Sequence, residues 1–193
     1  MLVKECRMPD ITDLKPSAMG CYIAGSIIGA SQSRTRKEDN LLKVAARLID
    51  KARFEYLCTR EAIQEEVDEG LLSYEQIEKR GQGQFIYTPV IINHLENCIN
   101  AISRIHKLLQ LNTNHRGILT KIRNSIEHAD ERIREGTTGP LALDISEDAS
   151  IIRIFFRDRD TEIEETIAIG TAELAAEITE LHSRARGLLR ENR

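Results

Sequence analysis

The stretch TPVIINHLENCINAISRIHKLL, residues 88–109, decides the fold class. Its apolar positions Ile91, Leu95, Cys98, Ile102, Ile105 and Leu109 alternate spacings of four and three. That is the period of a helix packed nearly parallel or antiparallel to its neighbours in a bundle. Thr88 followed by Pro89 marks the expected start, because Thr can cap a helix and Pro fits the first turn, where its missing N–H costs nothing. Working upstream, residues 39–67 carry Leu41, Ala45, Leu48, Ala52, Phe54, Leu57, Ile63 and Val67, which predicts a long helix whose stripe changes near Phe54. Residues 17–31 predict a buried helix in which Gly25 and Gly29 allow close backbone approach; the run is too short for a membrane dimerisation motif. Downstream, the polar loop 110–114 leads to a helix bearing Ile118, Ile122, Ala129 and Ile133, with Ile126 beside them. Gly136 and the Gly139-Pro140 pair are expected to end it.

After Pro140 the period changes. Leu141, Leu143 and Ile145 alternate, 151–156 is β-branched and aromatic, and Ile163, Ile167 and Ile169 alternate again. The pattern predicts a two- or three-stranded antiparallel meander with a tight turn near 158–161. Thr171 is then placed to cap a last helix with Leu174, Ile178, Leu181, Ala185 and Leu188. Because an isolated meander is marginal in water, that helix or the bundle must cover one face. The expected class is mainly α: an antiparallel helical bundle over 1–135, and a small β-meander with a C-terminal helix over 141–193 packed on it.

Composition excludes several function classes. The chain has 193 residues, 41% of them apolar, which suffices for a folded core. Charged residues make up 30%, and no apolar run approaches the ~20 residues needed to span a bilayer. Charges at Lys4, Glu5, Arg7 and Asp10 do not fit a secretory leader, so a cytoplasmic location is expected. The four cysteines, at 6, 21, 58 and 98, lack the paired spacing of zinc or redox sites and read as reduced core thiols. Aromatic content of 4% without Trp argues against a base-stacking platform.

Charge is unevenly distributed. The net charge is -4, yet between Asn97 and Ile126 there are five cations (Arg104, Lys107, Arg116, Lys121, Arg123) and no carboxylate, whereas residues 144–165 hold eight acids against three arginines. If the protein meets a polyanion, the central segment is where it does so. The same segment runs into Lys121-Ile-Arg-Asn-Ser-Ile-Glu-His-Ala-Asp-Glu-Arg132, which places Arg123, Asn124 and His128 within six residues. These three suffice chemically for metal-free attack of an RNA 2′-hydroxyl on the adjacent phosphate. A guanidinium binds two phosphoryl oxygens, an imidazole with pKa near about 6.5 exchanges a proton at neutral pH, and an amide orients either partner. On a regular helix Asn124 and His128 share a face, while Arg123 and His128 diverge by roughly 140°. The site therefore needs the reach of the arginine or a contribution from a second subunit. The plain structural alternative for Arg123 is an intrahelical pair with Glu127, four residues on.

In this motif the chain resembles the HEPN superfamily (higher eukaryotes and prokaryotes nucleotide-binding domains), marked by an Arg, four to six residues and a His, with a polar residue, often Asn, after the Arg. Arg123-Asn124-Ser125-Ile126-Glu127-His128 has the four-residue spacing and that Asn. The resemblance covers roughly 17–135 and leaves the strands after Pro140 as an addition. It implies a metal-independent ribonuclease of a toxin–antitoxin or defence system with Arg123 and His128 as the catalytic pair; the chemistry of the motif adds Asn124 as a catalytic residue, and the acid-free basic segment then assigns Arg104, Lys107, Arg116 and Lys121 to the RNA. It implies no cofactor and no metal. The implied partners are RNA, a second copy meeting it near the helix from about Asn114 to Glu135, and an antitoxin or nucleotidyltransferase-type protein; no membrane is involved. Members without chemistry imply the alternative, a non-catalytic helical dimer acting as an interaction or nucleotide-binding module. Other candidates are weaker: His94 and Cys98 lie four apart without a third ligand, and the acids 61–69 read as a solvated helix end.

Overall fold

The computed structural model describes residues 3–14, 17–27, 34–69, 87–127, 143–157 and 164–188. Five helices occur among them: α1 (Ala18–Ile27), α2 (Arg36–Glu69), α3 (Tyr87–Leu109), α4 (Arg116–Glu127) and α5 (Thr171–Leu188). Strands β1 (Leu143–Ile145), β2 (Ile151–Arg157) and β3 (Glu164–Gly170) lie between α4 and α5. The protein is mainly α, a helical bundle with a small three-stranded antiparallel sheet and a terminal helix, as its periodicities predict. No described helix is long and apolar enough to cross a membrane.

Local chemistry sets the helix ends. Thr35 and Glu38 form a reciprocal capping box on α2: the Thr35 N–H donates to Glu38 Oε2 at 2.8 Å, and the Glu38 N–H donates to Thr35 Oγ1 at 3.3 Å. The Ser17 hydroxyl accepts from the Gly20 N–H at 2.9 Å, and Asp50 of α2 accepts from the Ala18 and Met19 N–H groups. A carboxylate on α2 thus satisfies the first amides of α1 and ties the two helices. The buried helix expected over 17–31 is buried on one side only, through Ala18, Tyr22 and Gly25, while Ile23 is exposed. α3 begins at Tyr87, which puts Pro89 in its first turn and Thr88 just inside the boundary instead of before it.

α3 ends in a Schellman turn. The Leu111 N–H reaches back to the His106 carbonyl at 3.0 Å while Gln110 adopts φ 52°. Glycine favours that conformation and glutamine does not. Gln110→Gly should therefore stabilise the protein by about 0.5–1 kcal/mol, a rise of roughly 1–4 °C in Tm for a chain of this size, measurable by thermal unfolding. An unchanged or lower Tm would show that this residue's side chain contributes more than its backbone conformation costs.

The helices pack antiparallel. Lys51 and Glu55 of α2 meet Asn97 and His94 of α3 in reversed order, and Ser103 of α3 donates to the Leu119 carbonyl of α4. Ile91, Leu95, Cys98, Ile102 and Ile105 are all buried, as the α3 stripe requires, and Leu109 packs at its edge. One continuous core joins them to Tyr56 and Ile63 of α2, Leu119 and Ile122 of α4, Ile145, Ile152 and Ile169 of the sheet, and Leu174 and Ile178 of α5. Of the expected α4 stripe, Ala129 and Ile133 lie outside the described residues, as do Leu141, Ile163, Gly29, Gly136, the Gly139-Pro140 pair and the 158–161 turn.

The sheet is ordered β1-β2-β3, with Ile145 opposite Ile152 and Ile152 opposite Ile169. The 146–150 turn anchors three parts of the chain. Asp148 accepts from the Ser146 and Ser150 hydroxyls at 2.6 and 2.7 Å, and these bonds hold its carboxyl well below the usual range. The Glu147 and Asp148 carbonyls accept from the N–H groups of Lys4, Glu5 and Arg7, which docks the segment 3–14. Thr171 was expected to cap α5. Its hydroxyl instead donates across the turn to the Ala149 carbonyl at 2.9 Å, and Glu173 reaches back to the Gly170 N–H to cap the helix.

Candidate functional site

α4 follows the Schellman turn and buries Leu119 and Ile122 against α3, so its remaining faces are available to carry polar groups. Arg123 is part-buried and donates through Nε and Nη2 to a single oxygen, Glu127 Oε1, at 2.9 and 2.6 Å. The intrahelical pair named as the plain alternative is therefore formed. Asn124 is exposed on the next position of the helix. His128, the third member of the motif, lies outside the described residues.

The basic residues divide between faces. Arg116 and Arg123 are seven apart, two turns of α4, and share a face, whereas Lys121 sits roughly 200° around the helix from Arg123. Arg116 also donates from Nη1 to the Leu111 carbonyl at 3.0 Å, so part of its guanidinium braces the loop before α4. Arg104 and Lys107, three apart on α3, are both exposed. The segment offers positive charge on two adjacent helices, with Arg123 beside an exposed amide.

Two histidine–carboxylate pairs were missed by sequence reasoning. His94 Nδ1 donates to Glu55 Oε2 at 2.6 Å across the α2/α3 seam. His106 Nε2 donates to Glu177 Oε1 at 2.6 Å and joins α3 to α5, with side-chain exposures of 1% and 3%. Burial alone would push the Glu177 carboxyl up; the His106 imidazole, with smaller contributions from His115 and Thr113, outweighs it and holds the carboxyl below its ordinary value. A signal for both was present: Glu55 follows Ala52 on the buried side of α2, and His106 follows Ile102 on the buried side of α3. A charged residue at a core-facing position requires a partner. The sequence does not say which partner, since Glu177 is 71 residues from His106.

The His94–Cys98 pair is not a metal site. His94 is committed to Glu55, Cys98 is fully buried with its thiol pushed far up by desolvation, and no group of three metal-ligating side chains occurs among the described residues. Burial also raises the Cys58 thiol, which makes it a poor nucleophile. Comparison with family models, with curated proteins and with solved structures gives no match for this chain.

Proposed function

We propose that the chain is a metal-independent endoribonuclease of HEPN type that works in the cytoplasm within a toxin–antitoxin or defence system. The observation that carries the proposal is the state of Arg123: among the described residues its guanidinium is held only by a carboxylate one turn along the same helix, beside exposed Asn124. Such i,i+4 pairs are worth only about 0.3–0.5 kcal/mol, so a phosphodiester can displace Glu127 and take the planar fork. The RNA 2′-oxygen would attack phosphorus, the bond to the 5′-oxygen would break, and Arg123 would bind the phosphoryl oxygens as charge builds on them. His128 would serve one of the two proton transfers, with Asn124 orienting the phosphate or the imidazole. Arg104, Lys107, Arg116 and Lys121 would hold the flanking backbone by charge alone.

This chemistry needs no metal-bound water. Purified protein should cleave RNA in excess chelator and leave 2′,3′-cyclic phosphate and 5′-hydroxyl ends, as read by end-labelling and mass spectrometry. Cleavage abolished by chelator, or 3′-hydroxyl products, would overturn the mechanism. The Arg123–Glu127 pair also favours a second reading, a helical interaction or nucleotide-binding module in which Arg123 never leaves Glu127. Binding of RNA or nucleotide without any cleavage would select it.

A further inference from the structure

α2 carries an exposed face that nothing among the described residues covers. At its centre is Phe54, 60% exposed, an apolar ring in the middle of a 34-residue helix. Lys43 and Arg47 precede it on the exposed side and Glu61 and Glu65 follow; all four are exposed and make no hydrogen bond or ion pair among the described residues. The spacing is symmetric. Arg47 and Glu61 each lie seven residues from Phe54, and Lys43 and Glu65 each lie eleven. Seven and eleven residues are whole numbers of helical turns to within about 20°, so the five side chains form one stripe.

Within a single copy this arrangement is unfavourable. Lys43 with Arg47 and Glu61 with Glu65 are like charges at i,i+4, and the last turn of α2 holds acids and no base, against the helix dipole. An antiparallel second copy sets each of the two like-charged pairs against the opposite charge. With the two helices related by a two-fold axis at Phe54, Lys43 faces Glu65 and Arg47 faces Glu61 of the other chain, and each contact is made twice. The two rings meet at the centre, and Glu61 and Glu65 lie along the basic half of the other copy.

We propose that this face of α2 is the surface through which two copies of the chain pair, antiparallel, with the Phe54 side chains on the two-fold axis. The described part of α4, by contrast, already spends its apolar face on α3 within the chain. The pairing does not depend on the nuclease chemistry, and its test contains no RNA.

The test is a charge swap read by light scattering and sedimentation. Wild-type protein at about 100 µM should be dimeric in low salt and dissociate progressively toward about 0.5 M salt, where screening reaches only a few ångström. The variant Lys43→Glu/Arg47→Glu has an all-acidic stripe and Glu61→Lys/Glu65→Lys an all-basic one. Each alone should dimerise on the order of 100-fold more weakly, because like charges then face each other, and an equimolar mixture should recover the dimer. Phe54→Ser should also weaken the wild-type dimer. All five side chains are exposed, so circular dichroism and Tm should stay unchanged; if a double swap loses helix, Arg47→Glu and Glu61→Arg carry the same test singly. A monomeric wild type in low salt, swaps that remain dimeric alone, or a mixture that stays monomeric would each overturn the proposal.

Discussion

Replacing His106 with alanine should destabilise the fold by about 3–5 kcal/mol and lower Tm by roughly 10 °C, as measured by denaturant and thermal unfolding. The Glu177 carboxylate is almost fully buried, and His106 Nε2 supplies its hydrogen bond from a different element. Removing the imidazole leaves a desolvated carboxylate without its main compensation, with only the smaller contributions of His115 and Thr113 remaining. Substituting both residues by apolar groups of similar size, His106→Leu with Glu177→Met, should recover most of the loss, because neither partner is then stranded. The difference between the double variant and the sum of the singles is the coupling energy of the pair.

Acid provides an independent readout. The folded-state pKa of Glu177 lies below its ordinary value, so its contribution is fully present above that value and is lost as pH falls through the lowered one. Wild-type stability should therefore fall in the acid range, and Glu177→Gln, which has no charge to neutralise there, should fall less steeply. Equal acid slopes for the two proteins would show that the pair makes no pH-dependent contribution. A loss of only a few tenths of a kcal/mol in His106→Ala would show that α5 is held by its apolar residues alone.

The features legible in the sequence are those set by local period and local capping. The α3 stripe from Ile91 to Ile105 and the alternation around Ile167 and Ile169 each report which face is buried, because that face recurs every 3.6 or every two residues. The Thr35–Glu38 box has the spacing of a helix-start signature, but the apolar period on which the start at residue 39 rests does not reach it. Thr171 was misassigned because the same hydroxyl serves a cap or a turn equally well, and the choice depends on the 146–150 turn lying against it. For the candidate site, the Arg123–Glu127 contact follows from spacing alone. The partners of Glu55 and His106 come from other helices, so only the folded arrangement of α2, α3 and α5 identifies them.

The chemistry at α4 leads to the largest expected effect on rate. If the proposed mechanism operates, His128→Ala should lose on the order of 10² to 10⁴ in cleavage rate, the usual range for removing a general acid or base. Arg123→Lys should also be impaired, because an ammonium keeps the charge but cannot present a planar fork to two phosphoryl oxygens. The ion pair adds a third variant with the opposite sign. Glu127 competes with phosphate for Arg123, so Glu127→Gln should weaken that competition and tighten RNA binding at unchanged Tm, since a partly exposed i,i+4 pair contributes little to folding. A weakened KM with Glu127→Gln would instead mean that Glu127 positions the guanidinium for the phosphate. His128→Ala protein that cuts as fast as wild type would remove the imidazole from the mechanism. A collapse of stability in Arg123→Lys would mark the arginine as a structural brace of α4 and remove it from the catalytic pair.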